Sequence, residues 1–87
     1  METEEIARTL RKYIVQHYAI PADDADFTDD VHLFDYGYVD SFGAVDLVSY
    51  VQKTFGITIS QGDLTAYPMN TINEIATFAS LRQKGEL

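Results

Sequence analysis

Apolar residues recur at intervals of three and four in the first part of the chain, and this spacing predicts an amphipathic helix. The predicted helix runs from about Glu4 to His17 or Tyr18, and Pro21 prevents it from continuing. Its apolar face consists of Ile6, Leu10, Tyr13, Ile14 and His17. Because His17 falls on this face, we expect its imidazole to be packed and hydrogen-bonded.

A second helix is predicted from Ser41 to about Phe55, with Asp40 as its N-cap and Gly56 as the glycine that ends it. At about 100° per residue, its side chains separate into two groups around the helix. The core-facing group is Ala44, Leu47, Val48, Val51 and Phe55, and the other group is Phe42, Asp46, Ser49 and Lys53. The second group predicts an outward-facing surface along this helix.

Two further helices are predicted in the last third of the chain. Thr71 and Glu74 fit the capping-box pattern at the start of a helix that frays by Lys84. A short helical turn is predicted over residues 60–64, before Pro68 breaks it. No segment shows the period-two alternation of strands. The expected fold is therefore all-α, a small four-helix bundle with three long helices and one short helix.

Residues 22–39 form a long connection in which aspartates, Thr28 and Gly37 argue against regular structure. A connection of this length in a small domain needs anchors of its own. The expected anchors are Phe27, Val31, Leu33 and Phe34. We expect Gly37 to mark a turn with positive φ.

The composition is that of an ordinary globular protein, with 87 residues, 46% hydrophobic and 23% charged. We expect a single domain over residues 1–87 that is a monomer. The absence of cysteine excludes disulfides, thiolate metal sites and a thiol nucleophile. The acidic N-terminus does not resemble a signal peptide and no apolar run reaches the length of a membrane span. A cytoplasmic protein without membrane insertion is therefore expected.

The net charge of −8 is concentrated in the middle of the chain. Between Tyr13 and Gln52 there are eight acidic residues and no lysine or arginine, whereas the remaining segments hold six acidic and six basic residues. The eight are Asp23, Asp24, Asp26, Asp29, Asp30, Asp35, Asp40 and Asp46. Such a field repels nucleic acid and attracts basic protein surfaces, although an acidic surface can also serve solubility alone.

Ser41 lies where this acidic connection turns into a helix. Because Asp40 fits the cap, the Ser41 hydroxyl is expected to face solvent as the first helical residue, where free N–H groups and the helix dipole favour an attached phosphate. Ser41 could instead be a catalytic nucleophile. However, the first glycine of the G-x-S-x-G elbow is missing, and only His17 and a solvent-facing His32 could act as base. No catalytic residue is therefore predicted.

The aspartates of the connection raise the alternative of a calcium site. An EF-hand loop beginning at Asp24 would have Asp26 at position 3 and Asp35 at position 12. Asp29 would occupy position 6, where the turn favours glycine, and an aspartate at position 12 is shorter than the usual glutamate. No specific metal site is predicted. The alternative function is an unmodified acidic helical interaction module that binds either calcium, through the Asp24–Asp35 loop, or a basic partner.

The segment Leu33–Phe42 (LFDYGYVDSF), followed by an amphipathic helix and residues 55–59, resembles the acyl and peptidyl carrier protein family. The similarity in helix layout extends over nearly the whole chain. It implies that Ser41 carries 4′-phosphopantetheine, which a phosphopantetheinyl transferase installs from coenzyme A, and that Asp40 caps the helix and contributes to transferase recognition. The two residues between Gly37 and Asp40 make the chain more similar to D-alanyl or aminoacyl carriers than to fatty-acid carriers.

The resemblance further implies a carrier and not an enzyme. The thiol of the arm would hold an acyl or aminoacyl cargo as a thioester. An adenylating or acyl-ligating enzyme would load the cargo, and an acyltransferase or synthase would accept it, in secondary metabolism or cell-envelope modification. The surface expected to dock these partners consists of Phe42, Asp46, Ser49 and Lys53.

Overall fold

The computed structural model describes residues 1–87 and contains four helices and no strand. The helices are α1 (Thr3–His17), α2 (Ser41–Phe55), α3 (Gln61–Ala66) and α4 (Ile72–Gln83). The predicted all-α bundle of three long helices and one short helix is confirmed. None of the four helices combines the length and the apolar character that crossing a bilayer requires.

The core lies mainly between α1 and α4, which pack against each other along much of their length. Six residues at this contact have no exposed surface: Ile6, Leu10 and Ile14 of α1 with Ile72, Ala76 and Ala79 of α4. They belong to a single core cluster of 19 buried apolar residues. The α1–α4 pair thus forms most of the core, and α2 and the long connection pack against it.

The helix ends follow the local sequence. Thr71 and Glu74 form the predicted capping box at the start of α4, and Ser60 and Asp63 form a second one before α3. The short helix is therefore present one residue later than predicted and runs to Ala66. Gly56 ends α2 with φ of 66°, in the left-handed conformation that a glycine C-cap adopts.

The long connection is held by apolar side chains, as predicted. Val31 and Leu33 are buried, and Phe27 and Phe34 are half-buried against the core. Val39, with 1% of its surface exposed, is a further anchor that the sequence analysis did not identify. Leu33 and Val39 thus fix the two ends of residues 33–39, the part of the connection that leads directly into α2.

Backbone hydrogen bonds attach the same connection to its neighbours. The Leu33 N–H donates to the Asn70 carbonyl at 2.8 Å, just before α4, and the Val39 N–H donates to the Leu33 carbonyl at 3.0 Å. The turn between them contains Gly37 with φ of 77°, which confirms the predicted positive φ. The chain therefore reaches the start of α2 along a closed, hydrogen-bonded loop.

Both histidines differ from their predicted environments. His17 is exposed and stacks on Tyr13 at 4.9 Å between ring centroids, because it is the last residue of α1 and lies beyond the packed part of the helix. The prediction of a packed, hydrogen-bonded core imidazole is wrong. His32 is half-buried, and its Nδ1 accepts a hydrogen bond from the Asp35 N–H at 3.0 Å. It closes a turn and does not simply face solvent.

The buried face of α2 is rotated slightly from the predicted one. Three of the predicted core residues are buried: Leu47, Val51 and Phe55. Ala44 and Val48 are only half-buried, and Gly43 is buried in their place. The reason is that Tyr18, just after α1, lies against Gly43, whereas the short α3 covers Ala44 and Val48 incompletely.

Candidate functional site

The N-terminus of α2 presents Ser41 as its first, exposed residue. Asp40 is the N-cap, with an extended backbone, and its Oδ1 accepts a hydrogen bond from the Gly43 N–H at 2.7 Å. The first helical backbone bond runs from the Ala44 N–H to the Asp40 carbonyl at 2.8 Å. The N–H groups of Ser41 and Phe42 precede it and so have no partner within the helix. They are available to an acceptor placed at this end of α2.

Every charged residue within six positions of Ser41 is an aspartate. These residues are Asp35, Asp40 and Asp46, and all three are exposed. None of them lies in the first turn of the helix, where the dipole is positive. A phosphate group at Ser41 would gain about 0.3–1 kcal/mol from the dipole, as is usual for an exposed anion. The site is therefore a locally positive helix end inside a negative field.

Three large exposed apolar side chains lie within five residues of Ser41. Phe42 is 84% exposed and Val45 is 70% exposed, three positions apart on α2. Tyr36, in the turn before the helix, is 67% exposed. Exposed apolar groups that cluster in this way are typical of interaction sites. At this exposure, Phe42 does not pack against the connection.

Tyr18 contacts the buried side of this helix end, at Gly43. Its hydroxyl donates a hydrogen bond to the Gly43 carbonyl at 2.8 Å. Burial, the neighbouring Tyr13 and the carboxylates of Asp46 and Asp40 raise the pKa of Tyr18 to about 12. The hydroxyl therefore keeps its proton, and can donate, throughout the neutral range.

The sequence model of the phosphopantetheine attachment site family matches residues 8–79, most of the chain, including the whole connection and α2. The chain belongs to this family. It is a non-catalytic carrier domain for a covalently attached 4′-phosphopantetheine arm, and it works with a phosphopantetheinyl transferase and with catalytic partner enzymes. No curated protein gives a significant sequence match to the chain.

The remaining residues of the predicted docking surface lie along the carrier domain's second helix. Asp46 and Lys53 are exposed, whereas Ser49 is half-buried at the edge of this surface. Val45 was not assigned to any surface from the sequence. Its position three residues after Phe42 was the available signal, because residues at this spacing are neighbours on a helix.

An apolar cleft of about 600 Å³ lies between α2 and α3 of the carrier domain. Six of the residues that line it are Phe34, Ala44, Val48, Leu64, Tyr67 and Met69. Its α3 side is fixed by an ion pair in which Arg82 donates to both oxygens of Asp63, at 2.8 and 3.2 Å. These hydrogen bonds hold the pKa of Asp63 below its usual value. The cleft is thus adjacent to α2, with one wall held by a charged contact.

The acidic connection of the carrier domain does not assemble the ligands that the alternative calcium site would need. The carboxylate of Asp24 accepts a hydrogen bond from the Tyr38 hydroxyl at 3.0 Å, and Asp29 forms an ion pair with Arg11. No group of three or more histidine, aspartate or glutamate side chains is arranged to hold a metal ion. These aspartates instead attach the connection to itself and to α1.

Proposed function

We propose that Ser41 is the residue that carries the phosphopantetheine arm, and that the protein is a stand-alone carrier that delivers an acyl or aminoacyl cargo to partner enzymes. The observation that carries this proposal is the position of Ser41. It is exposed, it directly follows the cap Asp40, and it opens a helix inside the region matched by the family.

The other serines support this assignment because each is placed less favourably. Ser80 is buried in α4, with 2% of its surface exposed. Ser60 is engaged in the capping box of α3, where its hydroxyl accepts a hydrogen bond from the Asp63 N–H at 3.1 Å. Ser49 is half-buried in the interior of α2, away from free backbone donors. Ser60 is also exposed at a helix N-terminus, but only Ser41 combines that position with a hydroxyl that is not engaged in capping.

The chain's own groups suit a phosphodiester at Ser41. The free N–H groups of Ser41 and Phe42, together with the dipole of α2, stabilise the negative charge of the phosphate. Asp40 holds the first turn through its hydrogen bond to the Gly43 N–H. When attached, the arm supplies a terminal thiol that carries the cargo as a thioester. The carrier itself contributes position and exposure.

The docking surface that we propose consists of Phe42, Val45, Asp46 and Lys53, with Ser49 at its edge. Phe42 and Val45 are the two most exposed large apolar side chains of the chain, and they lie within one turn of Ser41. A partner that fits this surface has an apolar recess with basic residues around it, because the surrounding charges are mostly carboxylates.

The cargo and setting that we propose are those implied by the resemblance noted in the sequence. The D-alanyl or aminoacyl type of carrier fits best, loaded by an adenylating or acyl-ligating enzyme and unloaded by an acyltransferase or synthase. Secondary metabolism or cell-envelope modification is the proposed context. We further propose that residues 1–87 act as one carrier domain, as a monomer in the cytoplasm.

The decisive experiment is the intact mass of the protein after incubation with coenzyme A, magnesium and a broad-specificity phosphopantetheinyl transferase. We expect the mass of one phosphopantetheinyl group to be added to the wild type and to Ser60→Ala, and none to be added to Ser41→Ala. An unmodified wild type, or a modified Ser41→Ala, would contradict the proposal. A rise in melting temperature on addition of calcium to a protein that stays unmodified would favour the acidic interaction module.

A further inference from the structure

We infer that Tyr18 is a positioning residue for the modification of Ser41: its ring and hydroxyl hold the first turn of α2 in place through Gly43. This inference rests on the proposed attachment at Ser41. By holding this turn, Tyr18 keeps Ser41 in a geometry that a transferase can use.

The sequence of the first turn of α2 has a low helix propensity. It consists of Ser41, Phe42 and Gly43, none of which is a strong helix former, and glycine is the poorest one after proline. It also contains no acidic residue that would interact favourably with the helix dipole. Without outside contacts, a turn of this composition frays readily. The contacts that hold it therefore decide how often Ser41 is correctly placed.

Two side chains hold this turn, and both act on Gly43. The Gly43 N–H donates to the Oδ1 of Asp40 at 2.7 Å, and the Gly43 carbonyl accepts from the Tyr18 hydroxyl at 2.8 Å. The cap belongs to the same helix, and so it moves with the turn. Tyr18 does not, because it lies 25 residues earlier, at the end of α1.

The lack of a side chain at Gly43 leaves room for the ring of Tyr18. A Cβ atom at position 43 would lie 2.8 Å from the Cε1 of Tyr18 and 3.1 Å from the Cγ1 of Val39. Alanine would strengthen the helix in isolation but cannot fit while the ring stays in place. The poor helix former at position 43 thus allows the ring of Tyr18 to approach the backbone of the first turn of α2.

Tyr18 is itself held firmly enough to act as a support. Its N–H donates to the Ile14 carbonyl at 3.0 Å, and its ring meets the rings of Tyr13 and His17 edge to face at 6.4 and 4.8 Å. Ile14 belongs to the fully buried contact between α1 and α4. A continuous set of contacts therefore leads from the core to the turn that carries Ser41.

The test is the rate at which a broad-specificity transferase modifies Tyr18→Phe with coenzyme A and magnesium. Loss of this hydrogen bond should lower kcat/KM about two- to ten-fold, the factor that corresponds to one net intramolecular hydrogen bond. The loss should appear mainly in KM, because only the fraction of molecules with a formed turn binds productively. Amide exchange should accelerate at the start of α2 and stay unchanged in the centre of α4. Tyr13→Phe is the matched control, with its ring on α1 but off Gly43, and should behave as the wild type.

A second pair of variants tests the fit between ring and glycine. Gly43→Ala should slow the modification in the wild-type background, but not in a Tyr18→Leu background, where the added methyl group has room. Additive effects would overturn the inference. So would a Tyr18→Phe variant with wild-type kcat/KM and wild-type exchange at the start of α2. A wild type that is not modified at all would overturn the assignment of Ser41 instead, and amide exchange in Tyr18→Phe would still show whether Tyr18 holds the turn.

Discussion

Asp40 has two separable effects, which can be distinguished by replacing it with alanine or with asparagine. Its carboxylate accepts the hydrogen bond from the Gly43 N–H at 2.7 Å, and its charge lies directly beside Ser41. Alanine removes both the acceptor and the charge. Asparagine keeps an acceptor at the N-cap and removes only the charge. The two variants therefore separate stabilisation of α2 from recognition by the transferase.

The expected stability changes follow from the position of Asp40. Loss of an N-cap acceptor costs about 0.5–2 kcal/mol, and about 1 kcal/mol lowers the melting temperature of a domain of this size by about 4–8 °C. Removal of the charge alone costs about 0.3–1 kcal/mol, because Asp40 is exposed and solvent screens its interaction with the dipole. We expect Asp40→Ala to melt several degrees lower than Asp40→Asn, with both below the wild type.

The modification assay then decides what the charge does. If Asp40 contributes to recognition by the transferase, Asp40→Asn is modified more slowly although it keeps the cap. Asp40→Ala is modified more slowly still, because it also loses the hydrogen bond that holds the first turn of α2. Asp23→Asn is the control, because Asp23 is also an exposed acid but lies outside the docking surface and caps nothing. Wild-type modification of Asp40→Asn would refute the recognition role. A wild-type melting temperature for Asp40→Ala would refute the capping argument.

Three further predictions concern docking of the transferase, stability at low pH and packing of the core. Phe42→Ala and Val45→Ala should each raise the transferase KM several-fold and leave the melting temperature nearly unchanged, because both side chains are exposed; a large fall in melting temperature would contradict this. Hydrogen bonds from Arg82 lower the pKa of Asp63 in the folded protein. The ionised Asp63 therefore contributes its full stabilisation above the pKa of the unfolded chain, about 4. This stabilisation is lost as the pH falls through the lower pKa that Asp63 has in the folded protein. The urea concentration at the midpoint of unfolding should therefore fall as the pH is lowered below about 4, and it should fall less steeply in Arg82→Gln than in the wild type. Equal pH dependence in the two proteins would show that the Arg82–Asp63 ion pair does not contribute to stability. Leu10→Ala should cost about 2–5 kcal/mol in urea unfolding, since Leu10 is fully buried, and a loss below 1 kcal/mol would place it outside the core.

Helix limits could be predicted from the sequence because the signals that set them are local. The cap Asp40, the capping box that begins at Thr71 and the terminating Gly56 each act within four residues of the helix end that they define. The same holds for the turn at Gly37, which needs a positive φ whatever surrounds it. The position of Ser41 at the start of α2 was predictable for this reason.

Contacts between distant segments could not be predicted in this way. His17 continues the apolar spacing of α1, yet it is exposed because it is the last residue of the helix and its ring contacts those of Tyr13 and Tyr18 instead of the core. The contact between Tyr18 and Gly43 joins residues 25 positions apart, and neither residue type indicates the other. The burial of Gly43 was missed because a glycine carries no hydrophobic signal of its own.

The energetics of the proposed docking surface suit a carrier that must leave each partner after transfer. Full burial of Phe42 and Val45 would contribute about 1.5–3 kcal/mol each, and their sum is well below the roughly 12 kcal/mol of a nanomolar complex. Part of that sum is offset by the freedom lost on association. The surrounding carboxylates act mainly on the rate of encounter with a basic partner, and less on how long the complex lasts. Two exposed apolar groups in an acidic field therefore favour association that is fast and also readily reversed.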